Sequence, residues 1–90
     1  MSRLKNGYGM VSSTIMRDPS VSLREKGIYA YLATYADGDN SLTVGVNRAA
    51  AECGVDPSTI KRILNILKEK GIIVRESRAL GSSYKTKLLK

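Results

Sequence analysis

A chain of 90 residues forms one small domain with a modest core, which we expect to span residues 1–90. Its formal net charge of +7 favours a polyanionic partner, and the absence of a long apolar run argues against a membrane. Histidine, the usual general base and metal ligand, is absent, so we expect no enzyme, no metal or other cofactor and no small-molecule ligand. The single cysteine excludes an intramolecular disulfide, and without a signal peptide this predicts a cytoplasmic protein.

The first quarter of the chain predicts a short strand, a helical turn and the start of a helix. Residues 8–12 alternate loosely between polar and apolar, as a strand does, and residues 12–16 favour one helical turn. Ser22 is followed three residues later by Glu25, which is the capping-box pattern. A helix is therefore predicted to begin at Ser22 and to run to about residue 35 or 36.

This first helix carries apolar residues at the helical period. The predicted apolar face consists of Ile28, Tyr31, Leu32 and Tyr35, with the two tyrosine hydroxyls at the rim of the core. Tyr29 is predicted to project from another face, where it is free to meet a partner. Gly27 costs about 1 kcal/mol relative to alanine inside a helix, so we expect it to mark a close packing contact. Residues 37–41 are predicted to form a loop.

Two further helices with a sharp turn between them are predicted over residues 46–53 and 57–70. Gly54 follows the first of these helices and is expected to adopt the left-handed backbone that such a turn requires. Asp56 as N-cap and Pro57 at the first helical position give the second helix a clear start. The arrangement is typical of a helix-turn-helix.

The second of these helices has two contrasting faces. Its apolar stripe consists of Ile60, Ile63, Leu64 and Leu67. Ala50, on the preceding helix, is small enough to let the two helices cross closely. The opposite face carries Ser58, Lys61, Arg62, Asn65 and Lys68. Side chains of these types contact phosphates and base edges in a major groove, so together with the turn they favour DNA binding over an ordinary solvated face.

The carboxy-terminal segment predicts a β-hairpin. Residues 72–78 form its first strand, residues 79–83 its turn and residues 84–89 its return strand. The order of one short strand, three helices and a hairpin is that of an α+β winged helix-turn-helix, in which the hairpin is the wing. The cations that the wing can present to DNA are Arg75, Arg78, Lys85 and Lys87.

Positive charge is concentrated in the last third of the chain. Residues 1–57 hold six Lys/Arg and six Asp/Glu, whereas residues 58–90 hold nine and two, so the second segment carries all of the +7. This asymmetry is the electrostatic footprint of a nucleic-acid partner. We expect contacts to base edges and adjacent phosphates from Ser58, Lys61, Arg62 and Asn65. Phosphate contacts are expected from Arg48, Thr59 and Lys68.

The chain also resembles a known group of domains over residues 7–78. In its first half the resemblance lies in GYGMV, IMRDPSVS and KGIYAYLATYA; in its second half it lies in Ala49-Ala50, Cys53-Gly54, Ser58-Thr59, Ile60 to Leu67 and Gly71-Ile72. These segments are similar to the winged-helix modules of plasmid, phage and integrative-element proteins from Gram-positive bacteria. That group includes amino-terminal domains of replication initiators and replisome organisers, relatives of the DnaD type.

This resemblance implies a DNA-binding role in a mobile element. The role is either transcriptional control, for which a repressor acting by occupancy is favoured, or origin recognition for replication. A homodimer on a palindromic duplex site is compatible with both roles. A third possibility is a winged helix that grips another protein, although the clustered basic side chains argue against an apolar interface there. The chain is either a stand-alone regulator or an excised module of a longer protein.

Overall fold

The computed structural model describes residues 9–36, 40–77 and 84–88. Over these residues the chain forms four helices and three strands. Their bounds are α1 (Ser13–Met16), α2 (Leu23–Ala33), β1 (Ser41–Leu42), α3 (Val46–Cys53), α4 (Pro57–Glu69), β2 (Ile73–Ser77) and β3 (Tyr84–Leu88). The strands form one antiparallel sheet in the order β1-β3-β2. This architecture confirms the predicted α+β winged helix-turn-helix, with β2 and β3 as the wing.

The core is built around the apolar stripe of α4. All four stripe residues are buried, and Ile60, Ile63 and Leu67 are among the largest fully buried side chains in the described residues. Ala49 and Ala50 on α3 are buried as well, so small side chains stand where the two helices pack, as predicted. Burial of these aliphatic groups is the main favourable contribution to the stability of the domain.

The turn between α3 and α4 has the predicted geometry. Gly54 adopts φ 72° and ψ 33°, which is the left-handed region. The backbone N–H of Val55 then donates to the carbonyl of Ala50 at 3.0 Å, closing the end of α3. Asp56 is the N-cap of α4 and Pro57 its first residue, although the Asp56 side chain makes no cap hydrogen bond.

Helix α2 begins as predicted and ends earlier than predicted. The capping box is complete: the Ser22 hydroxyl accepts from the amide of Glu25 at 3.1 Å, and Glu25 Oε1 accepts from the amide of Ser22 at 3.0 Å. The helix stops at Ala33 because the next three amides bond to carbonyls three residues back, which tightens the chain out of the α-helix. Thr34 reinforces this ending, since its hydroxyl donates to the carbonyl of Tyr31 at 2.7 Å.

The prediction of a strand over residues 8–12 is wrong for residues 9–12, and Tyr8 lies outside the described residues. Ser12 is instead the N-cap of α1, which confirms the predicted helical turn at this point. The backbone N–H of Ser12 donates to the hydroxyl of Tyr29 at 2.7 Å. This amide therefore bonds to a side chain and not to the backbone of a neighbouring strand. The additional strand of the sheet is β1, at the end of the segment predicted to be a loop.

Two predictions for α2 are also wrong. Tyr29 is only 3% exposed and is fixed by the Ser12 amide, so it is not free to meet a partner. Gly27 is exposed, and a Cβ there would meet nothing within 4 Å. The close approach occurs at Gly9, where a Cβ would lie 2.5 Å from the carbonyl oxygen of Ala33. The segment before α1 therefore crosses the end of α2 with backbone against backbone.

Lys70, the C-cap of α4, ties this helix to the beginning of α2. Its Nζ lies 2.7 Å from Glu25 Oε1 and also donates to the carbonyl of Ser20. The hydrogen bond from Lys70, followed by that from the Ser22 amide, lowers the pKa of Glu25. One carboxylate thus caps α2 and holds the far end of α4.

The charge of this link can be tested with Glu25→Gln, because glutamine retains the capping box. Since the pKa of Glu25 is lowered in the folded state, its stabilisation is present above its ordinary pKa and is lost as the pH falls through the lowered value. We expect the variant to be less stable than the parent at neutral pH and the difference to shrink in acid, measured by urea unfolding. A difference that does not depend on pH would contradict this assignment.

A matched pair of substitutions tests the turn. Gly54→Ala places a Cβ on a left-handed residue and should lower the free energy of unfolding by about 1–2 kcal/mol. Gly27→Ala, the same change at an exposed position within α2, should raise it by about 0.5–1 kcal/mol. Thermal melts of both variants check the signs. Equal melting temperatures would show that Gly54 is not conformationally constrained.

Candidate nucleic-acid interface

The face of α4 that points away from the core is polar and basic. Its five side chains are all exposed, and they are Ser58, Lys61, Arg62, Asn65 and Lys68. They lie opposite the buried stripe because both sets follow the helical period. From Ser58 to Asn65 the face extends about 10 Å along the helix axis, which suits a helix lying in a major groove.

The cations on this face have no carboxylate partner among the described side chains. Within the described residues, none of Lys61, Arg62 and Lys68 forms an ion pair with a carboxylate. Their positive charge is therefore available to an external anion. Thr59, predicted to take a phosphate, is half-buried in the first turn, where its amide donates to the carbonyl of Asp56 at 3.0 Å.

Arg48 lies on α3 and belongs to a cluster that the sequence did not reveal. Its Nε is 3.4 Å from Glu52 Oε2, and its guanidinium carbon lies 5.5 Å from the ring centroid of Tyr35. The side chain nevertheless remains 66% exposed. The Arg48–Glu52 spacing of four residues on a helix was a usable sequence signal. Tyr35, which lies in the turn that follows α2, gave no comparable signal.

Glu52 is the centre of this cluster. Its Oε1 accepts hydrogen bonds from the hydroxyl of Tyr31 at 2.5 Å and from the hydroxyl of Tyr35. These bonds, that of Tyr31 first, lower the pKa of Glu52. The hydrogen bond to Glu52 raises the pKa of Arg48. The cluster therefore keeps its carboxylate and its guanidinium charged and in contact.

Tyr31 and Tyr35 lie at the edge of the core with their hydroxyls at its rim, as predicted. Both are half-buried and pack against it, with their rings in an edge-to-face arrangement at a centroid distance of 5.4 Å. Burial, followed by the hydrogen bond to Glu52, raises the pKa of Tyr31. Their hydroxyls therefore donate to α3, one from α2 and the other from the turn that follows it.

The wing contributes one described cation. Lys87 on β3 is exposed, whereas its neighbours Thr86 and Leu88 are buried, so the strand alternates as predicted. Arg78 lies outside the described residues, as do the predicted turn and the end of the return strand. The side chains of Arg75 and Lys85 are also outside the described part of the chain. Of the four predicted wing contacts, the structure therefore locates only Lys87.

Other kinds of site receive little support from the described residues. No group of three or more His, Cys, Asp or Glu side chains among them could hold a metal ion. In the same part of the chain, no helix has the length and hydropathy needed to cross a membrane. Cys53 is a free thiol that packs against the core, and burial raises its pKa, which favours the unreactive protonated form.

Comparison with known proteins identifies the family. A sequence profile described as a helix-turn-helix domain matches residues 22–73, from the N-cap of α2 to the first residue of β2. No curated protein and no solved structure matches the chain. A helix-turn-helix domain points to DNA binding. Because the match covers more than half of the chain and includes both helices of the turn, the protein belongs to this helix-turn-helix family.

Proposed function

We propose that the protein binds double-stranded DNA in a sequence-specific manner and performs no catalysis. The observation that carries this proposal is the exposed basic face of α4, whose cations have no carboxylate partner among the described residues. In helix-turn-helix complexes the second helix lies in the major groove and the first crosses the backbone. Here α4 and α3 are those two helices.

Each candidate side chain then has a role. Ser58, Lys61, Arg62 and Asn65 contact base edges and adjacent phosphates, since arginine, lysine and asparagine match the donors and acceptors of the major groove. Arg48, Thr59 and Lys68 contact phosphates. The wing adds phosphate or minor-groove contacts through Lys87, and through Arg75, Arg78 and Lys85. The excess positive charge of residues 58–90 supports the proposed phosphate contacts, because such contacts supply much of the affinity for DNA.

We further propose that the protein is a small transcriptional regulator of a bacterial mobile element that acts by occupying its site. The support is the resemblance of residues 7–78 to winged-helix modules of such elements. Selecting bound sequences from a random duplex pool tests this role. A palindromic site beside a promoter supports a dimeric regulator, whereas repeated sites within a replication origin indicate a replication initiator.

The affinity for duplex DNA should depend strongly on salt. If about five phosphates are neutralised, log K should fall with log salt with a slope of about −4 to −5. Titrating a labelled duplex at several salt concentrations by fluorescence anisotropy measures this slope. Weak binding with a flat slope would contradict the proposal and would favour a protein-interaction module.

Base-reading and phosphate-contacting residues should differ in their effect on specificity. Arg62→Ala and Asn65→Ala should each cost about 1–3 kcal/mol at the cognate site and much less on random duplex. Lys87→Ala, on the wing, should weaken binding to both duplexes alike. Parallel titrations with a selected site and a random duplex measure the difference. An equal loss on random DNA in all three variants would show that these roles are wrongly assigned.

A further inference from the structure

We propose that Tyr31, Tyr35 and Glu52 are positioning residues that hold Arg48 in place to contact a DNA phosphate. This inference rests on the proposed function, because it assigns a DNA-contacting task to a residue of α3, the first helix of the helix-turn-helix. None of the three positioning residues is itself expected to touch DNA. They belong to the interface only through the guanidinium that they orient.

The two oxygens of the Glu52 carboxylate have different partners: one binds the tyrosines and the other binds Arg48. Glu52 Oε1 accepts hydrogen bonds from both tyrosine hydroxyls, which fixes this carboxylate of α3 against α2 and the turn that follows it. Glu52 Oε2 is left to accept the Nε–H of Arg48 at 3.4 Å. Because the tyrosines are half-buried and pack edge to face, the carboxylate is anchored from the side of the core.

Arg48 is therefore held from two directions while remaining accessible. The ring of Tyr35 lies 5.5 Å from its guanidinium carbon, and the carboxylate binds its Nε. The two terminal amino groups form no hydrogen bond with another residue in the described part of the chain, and the side chain is 66% exposed. Their N–H groups can thus donate to two oxygens of a phosphate, a geometry that arginine is suited to provide.

Stability alone is a weak explanation for this arrangement. An exposed ion pair four residues apart on a helix adds little to the free energy of folding. A guanidinium that is already ordered, by contrast, loses less conformational entropy when it binds a ligand. The location is also suitable, since the first helix of a helix-turn-helix crosses the DNA backbone.

Glu52 itself is a poor position for a test. Its negative charge repels DNA, so its replacement both removes the positioning contact and relieves that repulsion. Replacing the tyrosines by phenylalanine avoids this ambiguity because it changes no charge and keeps both rings. The double variant Tyr31→Phe/Tyr35→Phe releases the carboxylate and leaves Arg48 in place.

The experiment is a double-mutant cycle on a random-sequence duplex, with affinity measured over a range of salt concentrations. Arg48→Ala should lower the affinity about three- to tenfold and make the salt slope shallower by about 0.9. The double phenylalanine variant should lower the affinity about two- to fivefold when Arg48 is present and leave it unchanged in the Arg48→Ala background. If the double variant is unstable, the single variant Tyr35→Phe can be used in the same cycle, where a smaller loss of affinity is expected.

Two controls separate positioning from folding. Tyr29→Phe removes a buried hydroxyl from the same helix, one that bonds Ser12 and not Glu52. It should lower the melting temperature without any coupling to Arg48. Arg48→Lys keeps the charge, so it should retain the salt slope and become insensitive to the tyrosine changes.

The possible failures are distinguishable. If the parent protein binds no DNA at low salt, both the proposed function and this inference are overturned. If the parent binds but Arg48→Ala has no effect, or if the tyrosine changes weaken binding equally with and without Arg48, only the inference is overturned. The inference is supported if the tyrosine changes weaken binding when Arg48 is present and have no effect when it is replaced by alanine.

Discussion

Burial of one face of α4 determines both the fold and the surface that the protein presents. Ile60, Ile63 and Leu67 are at most 2% exposed, and α2, α3 and the sheet are arranged around them. Successive residues of a helix are rotated by a fixed angle about its axis. Once these three side chains point into the core, the direction of every other side chain of α4 is therefore set. Burial of the apolar stripe therefore sets the direction of the polar face. A substitution that rotated α4 would expose part of this stripe and destabilise the domain.

Both ends of α4 are held by specific interactions. At its start, the left-handed Gly54 reverses the chain within a few residues, so the angle between α3 and α4 is set by the backbone. At its end, Lys70 reaches Glu25 and the carbonyl of Ser20, which ties the helix to the beginning of α2. A helix held in this way can present its exposed side chains without losing order, which favours specific recognition.

The features that the sequence predicted are those encoded by neighbours in the chain. Helical periodicity located the buried and exposed faces of α4, and the Gly54 and Asp56-Pro57 signals located the turn. Contacts between distant segments were not predictable in this way. β1 is only two residues long and exists because it pairs with β3, through Ser41 with Lys87 and Leu42 with Thr86. Its own sequence is too short to show alternation.

Helix α2 shows why periodicity fails when a helix is covered on more than one side. A single apolar stripe explains Ile28 and Leu32, which are buried as predicted. Tyr29 lies outside that stripe but is covered by the segment before α1, whose path across α2 depends on Gly9. Tyr31 and Tyr35 have their hydroxyls on Glu52 because α3 packs beside them. No local pattern in α2 indicates either neighbour.

The described cations fall into two classes, and this division links stability to recognition. Lys70 and Arg48 are paired with carboxylates of the fold, one to hold a helix end and the other within the tyrosine cluster. Lys61, Arg62 and Lys68 have no such partner among the described residues, so their mutual repulsion is not relieved internally. A polyanion that lies along α4 removes this repulsion without breaking either ion pair of the described residues.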